Sequence, residues 1–175
     1  MSGIYHVLNS LGIEYVKHEH PPVFTCEEAD KYWTNTKAAH TKNLFLKTEK
    51  SPHQYFLYIL ECSQRADLKS LAKSLNLTSR LTFANDSELM TNLGLTPGSV
   101  SPFGLINDHD HKVQVLINYT LDARRYLLFH PNTNTATLEI SWDDFKKFLS
   151  HTGHQPQFIN PNFQLVSTAP RSDQF

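Results

Sequence analysis

Apolar and polar positions follow two rhythms along this chain, and the changes between them mark short helices and strands. Ile4, Val7, Leu8 and Leu11 recur at the spacing of one helix face before Gly12, which predicts a helix over 4–11. Residues 13–16 read as a strand leading to the break at Pro21-Pro22. Thr25 followed by Glu28 is a capping box and predicts a helix from Cys26 to about Trp33. The polar stretch 34–41 predicts a loop. After it, 43–47 and 55–60 read as two strands joined around Ser51-Pro52.

Asp67 caps a pattern in which Leu68, Leu71, Ala72 and Leu75 share one face, with Lys69 and Lys73 on the other. A short strand over 81–83 precedes a helix capped by Asp86 and stopped at Gly94. Residues 105–106 and 113–117 predict a hairpin that turns at 108–111. Two more strands follow at 126–129 and 136–140. Ser141 with Asp144 caps a last helix, whose apolar stripe is Trp142, Phe145, Phe148 and Leu149 and whose stop is Gly153. The proline-bearing residues 156–175 read as an extended tail after a domain over 1–155. This mixed order of elements predicts one α/β domain around a mixed sheet.

Composition narrows the reading. With 175 residues, 39% of them apolar and 11% aromatic, the chain has the material for one real core. Sixteen Lys and Arg against seventeen Asp and Glu exclude nucleic-acid binding by bulk positive charge and leave room for a local grip on an RNA end. No apolar run reaches the roughly 18–20 residues of a membrane helix. Mean hydropathy is −0.41 and the amino terminus carries no signal-like pattern, so a cytoplasmic protein away from membranes is expected. The two cysteines, Cys26 and Cys62, read as free thiols in a reducing compartment. The pairs His18/His20, His109/His111 and His151/His154 each lack a third ligand at a recognised spacing, so neither metal nor cofactor is expected.

Three segments concentrate candidate chemistry. In the first, Lys42 and Asn43 stand where a polar loop enters the apolar run Leu44, Phe45, Leu46. An ammonium group there can hold a phosphate or a developing oxyanion, or simply be a solvated lysine. The second is 95–104, where Pro97 and Pro102 bracket Gly98, Ser99, Val100 and Ser101. Free N–H groups of such a stiff loop can converge on one oxygen; the plain alternative is a proline-rich turn. In the third, His130 offers proton transfer, while Asn132, Thr133 and Asn134 can read a polar ligand or satisfy their own turn. Lys69, Lys73 and Arg80 are the candidate outer contacts to RNA, on a face that is otherwise merely solvated.

Taken in order, LGIEYVKHEHPPVFTCEEA, KNLFLK, RADLKSLAKSLN, LTPGSVSPFGLIND, KVQVLIN, FHPNTNTATLEIS and TGHQP resemble the YbaK-like aminoacyl-tRNA deacylases. These are related to the inserted editing domain of bacterial prolyl-tRNA synthetases, and the resemblance is strongest to the free-standing, alanine-specific prolyl-tRNA editing branch called PrdX or ProX. It implies one α/β domain with a mixed, curved sheet flanked by helices. The family's essential lysine falls on Lys42 beside Asn43, its GxxxP loop on Gly98 to Pro102, and its histidine on His130. The stretch TNTKAAHT before Lys42 departs from the family, which often has a glycine there. The resemblance implies hydrolysis of alanine wrongly esterified to tRNA(Pro), without a protein nucleophile. The implied partner is the tRNA acceptor end, with prolyl-tRNA synthetase as a candidate second partner. Cys-tRNA(Pro), another small aminoacyl ester, or non-catalytic binding of aminoacyl-tRNA ends stand as alternatives.

Overall fold

The run Tyr55 to Glu61 is too apolar for a strand with one wet face, and it lies at the centre of the sheet. Phe56, Tyr58 and Leu60 point into one core and Leu57 and Ile59 into another, all at most 1% exposed. The computed structural model describes residues 3–32, 36–160, 162 and 164–166. Its elements run α1 (Ile4–Ser10), β1 (Tyr15–Glu19), α2 (Cys26–Ala29), β2 (Ala39–Thr48), β3 (Tyr55–Glu61), α3 (Leu68–Ser74), β4 (Leu81–Phe83) and α4 (Asp86–Leu93). Then follow β5 (Val113–Asn118), β6 (Tyr126–Phe129), β7 (Ala136–Ser141), α5 (Trp142–His151), β8 (Gln157–Ile159) and β9 (Leu165–Val166).

The strands are ordered β1-β7-β6-β2-β3-β5-β8-β9, with β4 also paired to β2. β2 with β6, β3 with β5 and β5 with β8 are parallel; the remaining pairs are antiparallel, so the sheet is mixed as expected. The larger core fills one side with Phe45, Phe103, Phe129, Phe145 and Phe148 beneath α1, α4 and α5. The smaller core sets Leu46, Phe56 and Tyr58 against Leu71 and Ala72 of α3.

Several elements depart from the sequence reading. Residues 102–107 form a 3₁₀ helix rather than one arm of a hairpin. Pro102 occupies its first turn and Ser101 caps it, while Asp108 binds the N–H groups of Lys112 and Val113 and turns the chain into β5. β5 then pairs with β3 and β8 instead of with 105–106. The expected loop over 34–41 gives way to β2 from Ala39, because Ala39 and His40 find β6 as a partner. α4 is capped by Asn85 in a reciprocal box with Glu88, one residue before Asp86. The helix over 26–33 closes at Ala29 with a 3₁₀ turn to Tyr32; Trp33 lies outside the described residues. Residues 157–159 and 165–166, placed in the tail by the sequence reading, add strands to the sheet edge.

Candidate active site

β2 changes partners along its length. Ala39 and His40 bond β6 in parallel, whereas Thr41 to Lys47 bond β3 antiparallel. The sheet splays where the partnership changes, and a cleft of about 420 Å³ opens beside Thr41, Lys42 and Asn43. Opposing walls come from the start of α2, from Gly98 and Val100, and from His130 and Thr137. Ligand crevices in open sheets form by the same logic, where neighbouring chains part.

Lys42 is half-buried on this wall, and its Nζ donates to the Cys62 carbonyl at 3.1 Å. Among the described residues it has no carboxylate partner. An ammonium group has three donors, so two remain for a ligand. Asn43 uses its Nδ2 to hold the Val100 carbonyl at 3.2 Å, and its Oδ1 is buried without a partner among the described residues. Such an acceptor is costly to leave unpaired and favours a ligand that brings a donor.

The chain 96–99 is a tight turn closed by Ser99 N–H donating to the Thr96 carbonyl at 3.1 Å. Pro97 then Gly98, with φ +83°, is the residue order of a type II turn. A Cβ on Gly98 would stand 2.9 Å from Phe24 Cδ1, so glycine is required by space as well as by conformation. Ser99 N–H is consumed by the turn, and Pro102 has none to give. The N–H groups of Gly98 and Val100, both at the cleft, donate to no described residue. They are the backbone donors at the cleft left without an acceptor among the described residues.

His130 is fixed by a chain of hydrogen bonds. His20 Nδ1 donates at 2.8 Å to the Pro21 carbonyl, which only accepts, and its Nε2 faces Thr137 Oγ1 at 3.1 Å. His130 Nδ1 in turn donates to the Ala136 carbonyl at 3.0 Å and faces Thr137 Oγ1 at 3.3 Å. That leaves His130 Nε2 with a lone pair on the cleft wall. Burial pushes the His130 pKa below the ordinary imidazole value; the Ala136 carbonyl works against this and nearby His20 adds to it. The ring is neutral at physiological pH.

The remaining wall is a short lid. Thr25 Oγ1 accepts from Glu28 N–H as the expected cap of α2 requires, while the Glu28 carboxylate accepts from Phe24 N–H at 2.8 Å, one residue before the N-cap that a capping box would use. Asp30 is hydrogen-bonded to His40 of β2. Cys26 is joined to Cys62 by a disulfide, with the two Cα atoms 5.8 Å apart. This corrects the free-thiol reading and removes the cysteine argument for a reducing compartment. Spacing alone hid it: the two residues are 36 apart in sequence and meet only because α2 folds over the end of β3.

Of the residues singled out from sequence, Lys42, Asn43, Leu44, Gly98, Val100 and His130 meet at the cleft. Phe45 and Leu46 do not: strand alternation turns Phe45 into the larger core and Leu46 into the smaller one. Ser99 and Ser101 are buried and occupied by the turn and the 3₁₀ cap, and Pro102 is packed in the core. Asn132 adopts φ +63° and donates weakly to the Phe103 carbonyl, while Thr133 faces Thr135. Asn134 lies near Gly98, with Nδ2 3.7 Å from where a Cβ would be. Lys69 and Lys73 are exposed on α3, away from the cleft lining, and Arg80 is paired bidentately with Glu49. The lid residues Val23 to Glu27 line the cleft but were not singled out for chemistry from sequence; the only signal was their place in the stretch HPPVFTCEEA.

Among the described residues no group of three or more His, Cys, Asp or Glu is placed to hold a metal ion. No helix among them is long and apolar enough to cross a membrane.

Comparison with known proteins places this geometry. The model of the aminoacyl-tRNA editing domain family matches residues 20–148. The prolyl-tRNA editing protein ProX of Acetoanaerobium sticklandii is 37% identical over 84% of this chain and 88% of its own. The human putative prolyl-tRNA synthetase associated domain-containing protein 1 is 36% identical over 87% of this chain and 91% of its own. The fold matches the crystal structure of a hypothetical protein with a TM-score of 0.68 at 15% identity, covering 93% of this chain and 97% of that one. It also matches a putative trans-editing enzyme for prolyl tRNA synthetase, with a TM-score of 0.64 at 19% identity over 94% and 95% of the two chains.

Proposed function

Since this chain belongs to the aminoacyl-tRNA editing domain family and is an editing hydrolase of that kind, we propose that it removes alanine wrongly esterified to tRNA(Pro). The observation that carries the reading is the meeting, in one cleft, of Lys42, the unspent N–H groups of Gly98 and Val100, and neutral His130. The names of the relatives, which concern prolyl-tRNA, support the choice of tRNA.

In this reading the ester carbonyl oxygen lies against the N–H groups of Gly98 and Val100, which bind it more strongly as it becomes an oxyanion. Water adds to the carbonyl carbon. The tetrahedral intermediate then collapses, the bond to the ribose oxygen breaks, and that oxygen takes up a proton as alanine leaves. His130 Nε2 is the group able to accept a proton from the water or a hydrogen bond from the substrate. Lys42 stabilises the developing negative charge or holds the terminal phosphate, and the unpaired Asn43 Oδ1 accepts from the substrate's ammonium group. No residue has to be acylated.

Selectivity against proline is a matter of exclusion. A pocket gains only about 1–3 kcal/mol per methylene by attraction, and alanine offers a single methyl group. The turn at 96–99 is stiffened by Pro97 and pinned through Val100 to Asn43, so a pyrrolidine ring would have to displace backbone. The test is a deacylation panel of Ala-, Cys-, Ser- and Pro-tRNA(Pro), with Ala-tRNA(Ala) as control. Fast release of alanine and slow release of proline is expected; equal rates would remove the sieve and leave a less selective editing hydrolase. Adding prolyl-tRNA synthetase to the assay shows whether that enzyme helps select the tRNA.

A further inference from the structure

Phe24 is 68% exposed. Val16, Tyr32, Phe83, Met90 and Leu165 are also exposed, but none of them borders the cleft, whereas Phe24 forms part of its rim. The ring leans on the backbone of Gly98, since a Cβ there would fall 2.9 Å from Cδ1 and 3.1 Å from Cε1. Its position is held from both sides. Phe24 N–H donates to Glu28, and two residues on, Cys26 is bonded to Cys62.

We propose that Phe24 is the stacking platform for the purine base at the 3′ end of the substrate tRNA. The inference rests on the functional reading above: an ester carbonyl at Gly98 and Val100 is attached to the ribose of the terminal adenosine. The base is then within one nucleoside's length of the loop, on the open side of the cleft. Among the described residues, Phe24 is the exposed aromatic ring on the cleft rim. Unpaired RNA ends are commonly gripped by stacking on aromatic rings, a contact independent of charge. That suits a chain whose net charge is −1 and whose exposed Arg80 is already neutralised by Glu49. A tethered ring also loses little freedom on binding, so more of the stacking energy appears as affinity.

The experiment is single-turnover deacylation of Ala-tRNA(Pro) across enzyme concentration, with the full chain. Phe24→Ala is expected to raise the half-saturating concentration about tenfold, the size of one base–aromatic stack. The limiting rate should stay within about twofold. Phe24→Trp should restore tight binding. Phe24→Leu, which keeps apolar cover on Gly98 without a π face, should not. In parallel, the fluorescence of the Phe24→Trp variant is titrated with the trinucleotide CCA and with the same trinucleotide lacking its terminal base. Quenching by the first alone is expected. Wild-type-like binding by Phe24→Leu, or fluorescence indifferent to CCA, overturns the platform. A wild-type enzyme that releases no amino acid, paired with a variant quenched by CCA, would refute the functional reading and keep the platform.

Discussion

Lys42 and Lys47 stand on the same strand, five residues apart and so on opposite faces, and their surroundings are opposite. Lys47 is bound to Glu88 at 2.7 Å, with both side chains 17% exposed. The same carboxylate oxygen accepts from the Tyr55 hydroxyl, and Glu88 also caps α4. Every strong group at that end of β2 has a partner. At the other end Lys42 has a single backbone carbonyl, beside an amide oxygen and two backbone N–H groups with no partner among the described residues. The difference follows from the sheet: the Lys47 end is flanked by β3 and β4, while the Lys42 end lies where β6 and β3 part. One end of the strand is finished by folding, and the other is finished only by a ligand.

Exchanging the two lysines' consequences is the most direct way to break this comparison. Lys42→Ala should lower the single-turnover rate by about 10²–10³, the usual cost of losing one oxyanion-stabilising group, with little change in melting temperature. Lys47→Ala should do the reverse: activity retained, and stability reduced by about 1–2 kcal/mol, between the values for exposed and buried ion pairs. Parallel deacylation assays and thermal melts of both variants decide the matter. If Lys47→Ala is the slower enzyme, the assignment of the site to the open end is wrong.

A second intervention keeps every side-chain charge and alters only the loop. Gly98→Ala places a Cβ into the Phe24 ring and forces alanine into the left-handed region at φ +83°. The loop must shift, and a rate loss of about 10–100-fold is expected from an oxyanion site displaced by a fraction of an ångström. Far-ultraviolet circular dichroism should remain unchanged. Gly94→Ala is the control four residues earlier, at the C-cap of α4, where φ is +64° and a Cβ would meet the Asn107 side chain. It should cost stability and spare the rate.

The open end of β2 was more legible in sequence than the elements that close it. Alternation identified the apolar run 43–47, and the polar-to-apolar step marked Lys42 and Asn43. Caps at Thr25, Asp67 and Ser141 are local hydrogen bonds between residues two or three apart, and they appear where the sequence puts them. Local pattern could not decide which way strand alternation would turn Leu44, Phe45 and Leu46. It also misread 102–107, where Ser101 and Pro102 start a 3₁₀ turn although the residues are as apolar as a strand. The lid was hidden for a different reason. Its contacts to His40, Cys62 and Gly98 join residues distant in sequence, and no periodicity encodes them.

A third, smaller effect concerns that lid. Opening the Cys26–Cys62 bond, by a dithiol reductant or by Cys26→Ser, removes one of its anchors and leaves Asp30 on His40 and Val23 N–H on the Asn134 carbonyl. The half-saturating enzyme concentration for Ala-tRNA(Pro) should rise a few-fold, because the rim must be ordered at each encounter. Stability should fall by no more than about 3–4 kcal/mol, the loop-closure value for a separation of 36 residues. A reductant that lowers the melting temperature of wild type and leaves Cys26→Ser unaffected assigns the change to this bond. If binding is untouched in both, the lid takes no part in holding tRNA.

The subtlest difference between the two ends of β2 is how they respond to pH, and it turns on His130. Its pKa lies below the ordinary imidazole value, chiefly because the ring is buried, so the folded protein resists protonating it. The sign follows from linkage. Above the unfolded value of about 6.5 both states hold the ring neutral, and its contribution to stability is complete. As pH falls from there toward the lower folded value, the unfolded state binds the proton first, and stability is lost. Activity should follow a later course: catalysis that needs a neutral Nε2 persists through pH 6.5 and declines only as the pH approaches the depressed folded value. The measurement is the ratio of catalysed to spontaneous deacylation between pH 5 and 8, which cancels the ester's own sensitivity to hydroxide. His130→Asn should remove the acid limb of that ratio, whereas Lys47→Ala at the closed end should leave it in place. An acid limb that survives His130→Asn unchanged would move the proton acceptor to the substrate itself and leave His130 as part of the cleft wall.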